Sequence, residues 1–222
     1  MSVLGAWAEL TREERMEKIR THRCNPTPDA LTVRLLRIVW LHHVHHTFKV
    51  SSPWKRVLDI GCHDGFATRW MVDEPNIEKL VGIDLCEHAV CWANELIKTR
   101  KHPEKATYEL GDWMKAEIDE PFDAVVCFEL LEHLDNDEIE ELFFFIDRAV
   151  SPGGVLLLTT PNIDGPVGKS NPDEQHINLF SPERLEATFQ EHIPSANKED
   201  FDVRLDVTGT HIHLLWRESH SV

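Results

Sequence analysis

No two of the five cysteines, Cys24, Cys62, Cys86, Cys91 and Cys127, form a C-x-x-C pair, and their number is odd. This argues against a zinc ribbon and against a paired disulfide framework, so a reducing, cytoplasmic setting is expected. Long apolar runs are missing as well. None approaches the roughly 20 residues that cross a bilayer, so no membrane span is expected. The first segment, MSVLGAWAELTREERMEKIR, turns charged too early for a secretory leader. Basic residues are scarce: 23 Lys and Arg stand against 39 Asp and Glu, a formal net charge of −16 at pH 7. Such an excess favours solubility and works against polyanionic partners such as nucleic acid, unless a local basic surface overrides it. No internal repeat or low-complexity segment is present.

What is there suffices for a substantial core: 222 residues with 41% hydrophobic content predict one domain with elaborations. Residues 1–52 read as a helical extension, or cap, and residues 53–222 as the main domain. In the extension, Thr11 and Glu14 have capping-box spacing. Thr27 followed by Pro28 resembles a helix start that opens ALTVRLLRIVWLHHVHHTF.

From residue 56 the pattern alternates. RVLDIG, KLVGIDL, ATYELGD, FDAVVCF and GVLLLTT are short runs rich in Val, Ile and Leu. Segments 65–73, 87–101 and 137–149 between them suit helices. A helix near 181–191 then precedes FDVRLDV and HIHLLWR, which suggest an antiparallel pair completing the sheet. Apolar strands alternating with helices predict an α/β, doubly wound, mostly parallel sheet covered on both faces.

The stretch VLDIGCHDGF follows a predicted strand and opens a predicted helix, where glycines let a backbone approach a ligand closely. Asp84, 25 residues after Asp59, ends the second strand and could accept from two ribose hydroxyls. Gly111-Asp112-Trp113 ends the third, where a carboxylate can accept from an adenine amine and an indole can pack on the ring. Open α/β sheets bind ligands at the carboxyl ends of their strands, so the three acids in order favour a site over scattered loop acids.

VLDIGCHDGF, VGIDLCEHAV, LGDW, FDAVVCFELLEHL and VSPGGVLLLTTPN resemble the successive motifs of class I S-adenosylmethionine-dependent methyltransferases, with a seven-stranded Rossmann-like sheet. Gly61 and Gly65 have that family's spacing rather than the G-x-G-x-x-G of dinucleotide dehydrogenases, although His63 stands where the family usually has glycine. The resemblance implies that Asp59, Gly61, His63 and Gly65 meet the amino-acid end of S-adenosylmethionine. It likewise implies that Asp84 and Leu85 meet the ribose, Asp112 and Trp113 the adenine, with Phe128 alongside.

The stretch FELLEH, Phe128 to His133, falls at the end of strand four. If 129–133 is a helical turn, Glu129, Glu132 and His133 share a face. The alternative is a polar helix start favoured by the helix dipole. After TTPN, the fifth strand's loop delivers His176 to the same edge. Glu129, Glu132, His133 and His176 form a mixed oxygen and nitrogen set suited to Mg²⁺ or Mn²⁺, with Fe²⁺ or Zn²⁺ also accommodated. E-x-x-E-H with a later histidine resembles the small-RNA 3′-terminal 2′-O-methyltransferases, and E-x-x-E-H also occurs in ubiquinone-type O-methyltransferases. A divalent ion could chelate vicinal hydroxyls and activate one of them. Without a metal, His133, His176 or Glu129 could serve the acceptor directly as catalytic groups.

The resulting expectation is an O-methyltransferase acting on a hydroxylated small molecule, sugar or glycan end. RNA 3′-terminal methylation, which the −16 charge disfavours, is a second reading, and a non-catalytic cofactor-binding partner subunit a third. Three other features read as structural. His42, His45 and His46 form a solvated or substrate-entrance helix face, Cys62 and Cys127 small packing residues, and FFFI at 143–146 the buried side of a helix.

Overall fold

The computed structural model describes residues 7, 9–24, 54–166, 169, 175–194, 196–206 and 209–218. The 52/53 domain boundary, the helix expected to follow Pro28 and the histidines at 42, 45 and 46 lie outside these residues. The described elements run α1 (Arg12–Arg20), β1 (Arg56–Ile60), β2 (Lys79–Asp84), α2 (Glu87–Leu96), β3 (Ala106–Leu110), β4 (Phe122–Phe128), α3 (Asn136–Ala149), β5 (Val150–Pro161), α4 (Pro182–His192), β6 (Phe201–Leu205) and β7 (His211–Arg217). They form a seven-stranded sheet ordered β3-β2-β1-β4-β5-β7-β6. β1 pairs in parallel with β2 and β4, β2 with β3, and β4 with β5. β7 runs antiparallel to both β5 and β6. This is the doubly wound sheet that the alternation predicts.

The near-continuous apolar strands have a physical cause: alternate side chains enter two cores, one on each face of the sheet. Leu58, Ile60, Val125, Cys127, Leu156 and Leu158 pack with α3 and α4 residues such as Phe143 and Phe189. Val57, Leu80, Val126 and Leu157 pack with Trp70 and with Val90 and Ala93 of α2. The chain's one tyrosine, Tyr108, lies over Gly82 and Gly65: a Cβ on Gly82 would meet its ring at 2.4 Å. No side chain fits at Gly82 without displacing the tyrosine.

Helix boundaries follow local chemistry. Thr11 and Glu14 cap α1 reciprocally, and Asp135 and Glu138 do the same for α3. Ser181 caps α4 ahead of Pro182. Two expectations need correction. The 65–73 segment forms no α-helix; turns lead into a short 3-10 helix, Arg69–Asp73. Gly61, His63 and Gly65 all have positive φ, 72°, 47° and 70°, so the backbone is still winding leftward where a helix would begin. In FFFI, Phe144 is exposed beneath the Arg148 guanidinium while its neighbours are buried. No helix among the described residues is long and apolar enough to cross a membrane.

Candidate active site

The strand order reverses between β1 and β4, and such a switch point opens a crevice at the carboxyl ends of the strands. A cavity of about 1110 Å³ lies there, lined by the β1 turn, the end of β2, the end of β4, the β6–β7 turn and α1.

One half of the cavity wall is built from backbone. The Gly61 and Cys62 amides donate to the Ile83 carbonyl at 2.9 and 3.2 Å, which ties the glycine turn to β2. Asp84 accepts from the amides of His63 at 2.8 Å and Cys86 at 2.7 Å. Burial raises its carboxyl above the ordinary aspartate value, and these amides pull it back. Asp59 is buried and accepts from the Thr68 hydroxyl. Burial pushes its carboxyl up to about 7, against the lowering effect of Thr68 and with the Asp84 charge adding to the rise. His63 occupies the left-handed conformation that glycine would take more easily. Its ring lies 3.7 Å from Asp64, and that contact raises its pKa. Gly61, His63, Asp59, Asp84, Leu85, Trp113 and Phe128 all line the cavity, so the sequence brings most of its expected cofactor residues together.

Asp112, expected beside the adenine, is paired with α1. Both its carboxylate oxygens accept from Arg12 at 2.9 Å, and one also accepts from the Met114 amide. Trp113 is buried against Phe145, with ring centroids 5.8 Å apart. Arg12 also reaches Glu138 at 2.9 Å, and the buried Arg15 joins Asp135 and Glu138. These pairs dock α1 over the cavity, where Trp7, Met16 and Ile19 add apolar wall. Sequence reasoning missed Arg12 and Arg15, whose partners lie 100 or more residues away.

The other half is built from side chains. The expected helical turn at 129–133 is corrected: Glu129 has φ 52°, and the 3-10 turn covers only Leu131–His133. Glu132 is buried, accepts from the Thr160 hydroxyl at 3.0 Å and comes within 4.0 Å of His133. Its backbone carbonyl holds the loop that carries His176, through the amides of Ile177 and Asn178. His133 places Nδ1 3.2 Å from the Gln175 carbonyl. A carbonyl can only accept, so Nδ1 carries the hydrogen in this contact, and Nε2 is the nitrogen that faces Glu132. The His133 and His176 rings stand 5.1 Å apart. One potential ligand atom from each of Glu132, His133 and His176 lies within 4.8 Å of the others.

Glu129 stands outside that trio and pairs with His211 at 3.2 Å. His211 also meets Asp206 at 3.5 Å; the Glu129 contact leads the rise in its pKa. Of the trio, His133 lines the cavity, as do Glu129, Asp206, His211 and His213. Sequence reasoning did not single out His211 and His213. Their period-two spacing in HIHLLWR puts them on one face of β7 and was the available signal. Cys62 and Cys127 are buried, which holds both thiols well above their ordinary pKa and leaves them poor nucleophiles.

Comparison with known proteins agrees with this fold. Residues 34–192 match the methyltransferase domain family. The ubiquinone biosynthesis O-methyltransferase of Dechloromonas aromatica (strain RCB) is 35% identical over 132 residues, covering 57% of this chain and 51% of the relative. The small RNA 2′-O-methyltransferase of Mus musculus is 28% identical over 119 residues, 50% of this chain and 30% of the relative. The chain thus spans about half or less of the length of these curated relatives. The N-methyltransferase NodS of Bradyrhizobium japonicum WM9, solved with S-adenosyl-L-homocysteine, shares the fold at a TM-score of 0.65 and 17% identity, covering 93% of this chain and 98% of that one. With residues 34–192, more than half of its length, matched by the family, the chain belongs to the methyltransferase domain family.

Proposed function

We propose that this protein is an S-adenosylmethionine-dependent O-methyltransferase acting on a small hydroxylated acceptor, assisted by a divalent ion such as Mg²⁺ or Mn²⁺. The observation that carries the reading is the single cavity with two unlike walls: the Gly61 turn and Asp84 on one, His133 and Glu129 on the other. When bound, S-adenosylmethionine supplies an electrophilic methyl on sulfur, and an ion lowers the pKa of a hydroxyl that it coordinates. The donor set fits such an ion. Glu132 supplies a carboxylate, His133 and His176 supply imidazoles, and the Gln175 carbonyl orients His133.

The residues then divide the work. Asp84, held by two amides, presents a fixed carboxylate to ribose hydroxyls. Leu130 and Phe128 give the mouth apolar surface, and the exposed Leu205 extends it. Among the described residues the acceptor side of the cavity, with Phe128, Glu129, Leu130, His133, Thr159, Leu205, Asp206, His211 and His213, carries carboxylates and imidazoles but no Lys or Arg; the cations of the lining, Arg12, Arg15 and Lys18, lie on α1, where Arg12 and Arg15 are paired with carboxylates. That composition favours a neutral, partly apolar acceptor over an RNA end, whose phosphates require cations.

The test is methyl transfer from labelled S-adenosylmethionine to a catechol and sugar panel and to short RNA ends, each with and without a chelator. Chelator-sensitive transfer to the small hydroxylated panel is expected. Transfer to RNA ends alone would establish the second reading, and cofactor binding without transfer to any acceptor in cell extract would favour a non-catalytic subunit.

A further inference from the structure

Glu129 belongs by sequence with Glu132, His133 and His176, yet the fold gives it another partner. Its amide is fixed to the Thr159 carbonyl at 3.0 Å, and its backbone sits at φ 52°. Only the side chain has freedom to choose between partners, and it is turned to His211 Nε2 at 3.2 Å. His211 is itself held on the far side by Asp206, Nδ1 to Oδ2 3.5 Å. With a carboxylate at each nitrogen, the ring is poorly placed to take a proton from an acceptor, which argues for a positioning role.

We propose that His211 is a gate on the fourth ligand of the metal site: it holds Glu129 off the Glu132–His133–His176 trio and releases it when an ion binds. The inference rests on the metal-assisted reading above and adds to it a residue from β7 that the E-x-x-E-H pattern does not contain. Three observations support it. Glu129 and His133 line the same cavity, only Leu130 and Leu131 separate Glu129 from Glu132, and Glu129 and His211 are each only partly buried, at 43% and 34% side-chain exposure. Release is also inexpensive, because His211 keeps Asp206 when it loses Glu129. An ion pair this exposed is a weak contact, so the gate sets a modest threshold rather than a block.

The experiment is Mn²⁺ binding, followed by electron paramagnetic resonance and calorimetry, on the full chain saturated with S-adenosylhomocysteine. Wild type is compared with His211→Ala, His211→Lys, Glu129→Gln and the Glu129→Gln/His211→Ala double variant. His211→Ala is expected to tighten Mn²⁺ roughly threefold, the scale of an exposed ion pair. His211→Lys, which keeps a cation for both carboxylates, is expected to restore the wild-type value. In the Glu129→Gln background, removing His211 is expected to change nothing. Unchanged or weaker Mn²⁺ binding by His211→Ala, or the same tightening without Glu129, overturns the gate while leaving the trio as a metal site. Absence of Mn²⁺ binding in every variant overturns the metal reading itself and the gate with it. Retained S-adenosylhomocysteine affinity in each variant establishes that the chain is folded.

Discussion

The two walls of the cavity are built in different ways. The cofactor wall comes from the ends of β1 and β2, where backbone amides do the holding: Gly61 and Cys62 on Ile83, His63 and Cys86 on Asp84. The acceptor wall draws side chains from β4, the β5–α4 loop and the β6–β7 hairpin, joined through Glu132 to Thr160 and His211 to Glu129 and Asp206. A site built on backbone tolerates varied neighbours and keeps its shape. A site built on side chains can be re-aimed by a single rotamer, which suits the half of an enzyme that must differ between substrates.

The largest effect expected from breaking the cofactor wall is on stability. Asp59, with its carboxyl pushed up to about 7 from an ordinary 3.8, binds its proton more tightly folded than unfolded. Its contribution is therefore fully present below about pH 4 and is lost as pH rises toward 7. By linkage the loss reaches up to about 4 kcal/mol. Asp59→Asn should remove this component, so denaturant unfolding of the ligand-free chain should show the variant gaining on wild type between pH 4 and 8. Parallel pH profiles would mean that Asp59 is ionised at no such cost.

Next comes Glu132→Gln on the acceptor wall. It is isosteric and can keep the Thr160 bond, but it removes the buried charge of the trio. Methyl transfer should fall about 100-fold or more, at the upper end of what losing a metal-site group costs, while S-adenosylhomocysteine affinity by calorimetry should stay within about twofold. A parallel loss of both would mean that the two walls are not separable.

The smallest effect concerns the α1 lid. Arg12 is 30% exposed where it pairs with the nearly buried Asp112, so Arg12→Ala should lower thermal stability by about 1 kcal/mol or less. A loss above roughly 2 kcal/mol would make this pair part of the core rather than a clasp on the cofactor wall.

The difference between the walls also explains what was legible. The glycine turn, Asp84 and the strand order announce themselves through short-range pattern. The hidden partners are Arg12 for Asp112 and His211 for Glu129, and they lie 100 and 82 residues away. Period and propensity carry no information over such separations. The N-terminal capping box was visible because both of its members lie within one turn.

Alternating apolar strands, caps and the glycine spacing, all local in origin, determined by themselves the doubly wound sheet and the edge at which its cavity opens. Tertiary structure decided the direction of Glu129. The sequence E-L-L-E-H reads as a helical turn, but the Thr159 carbonyl takes the Glu129 amide, and Leu130 packs onto Gly61, where a Cβ would stand only 3.2 Å from its methyl. Those two contacts hold Glu129 in a left-handed conformation that its own propensity disfavours. They turn it from the expected metal face toward a histidine on the last strand.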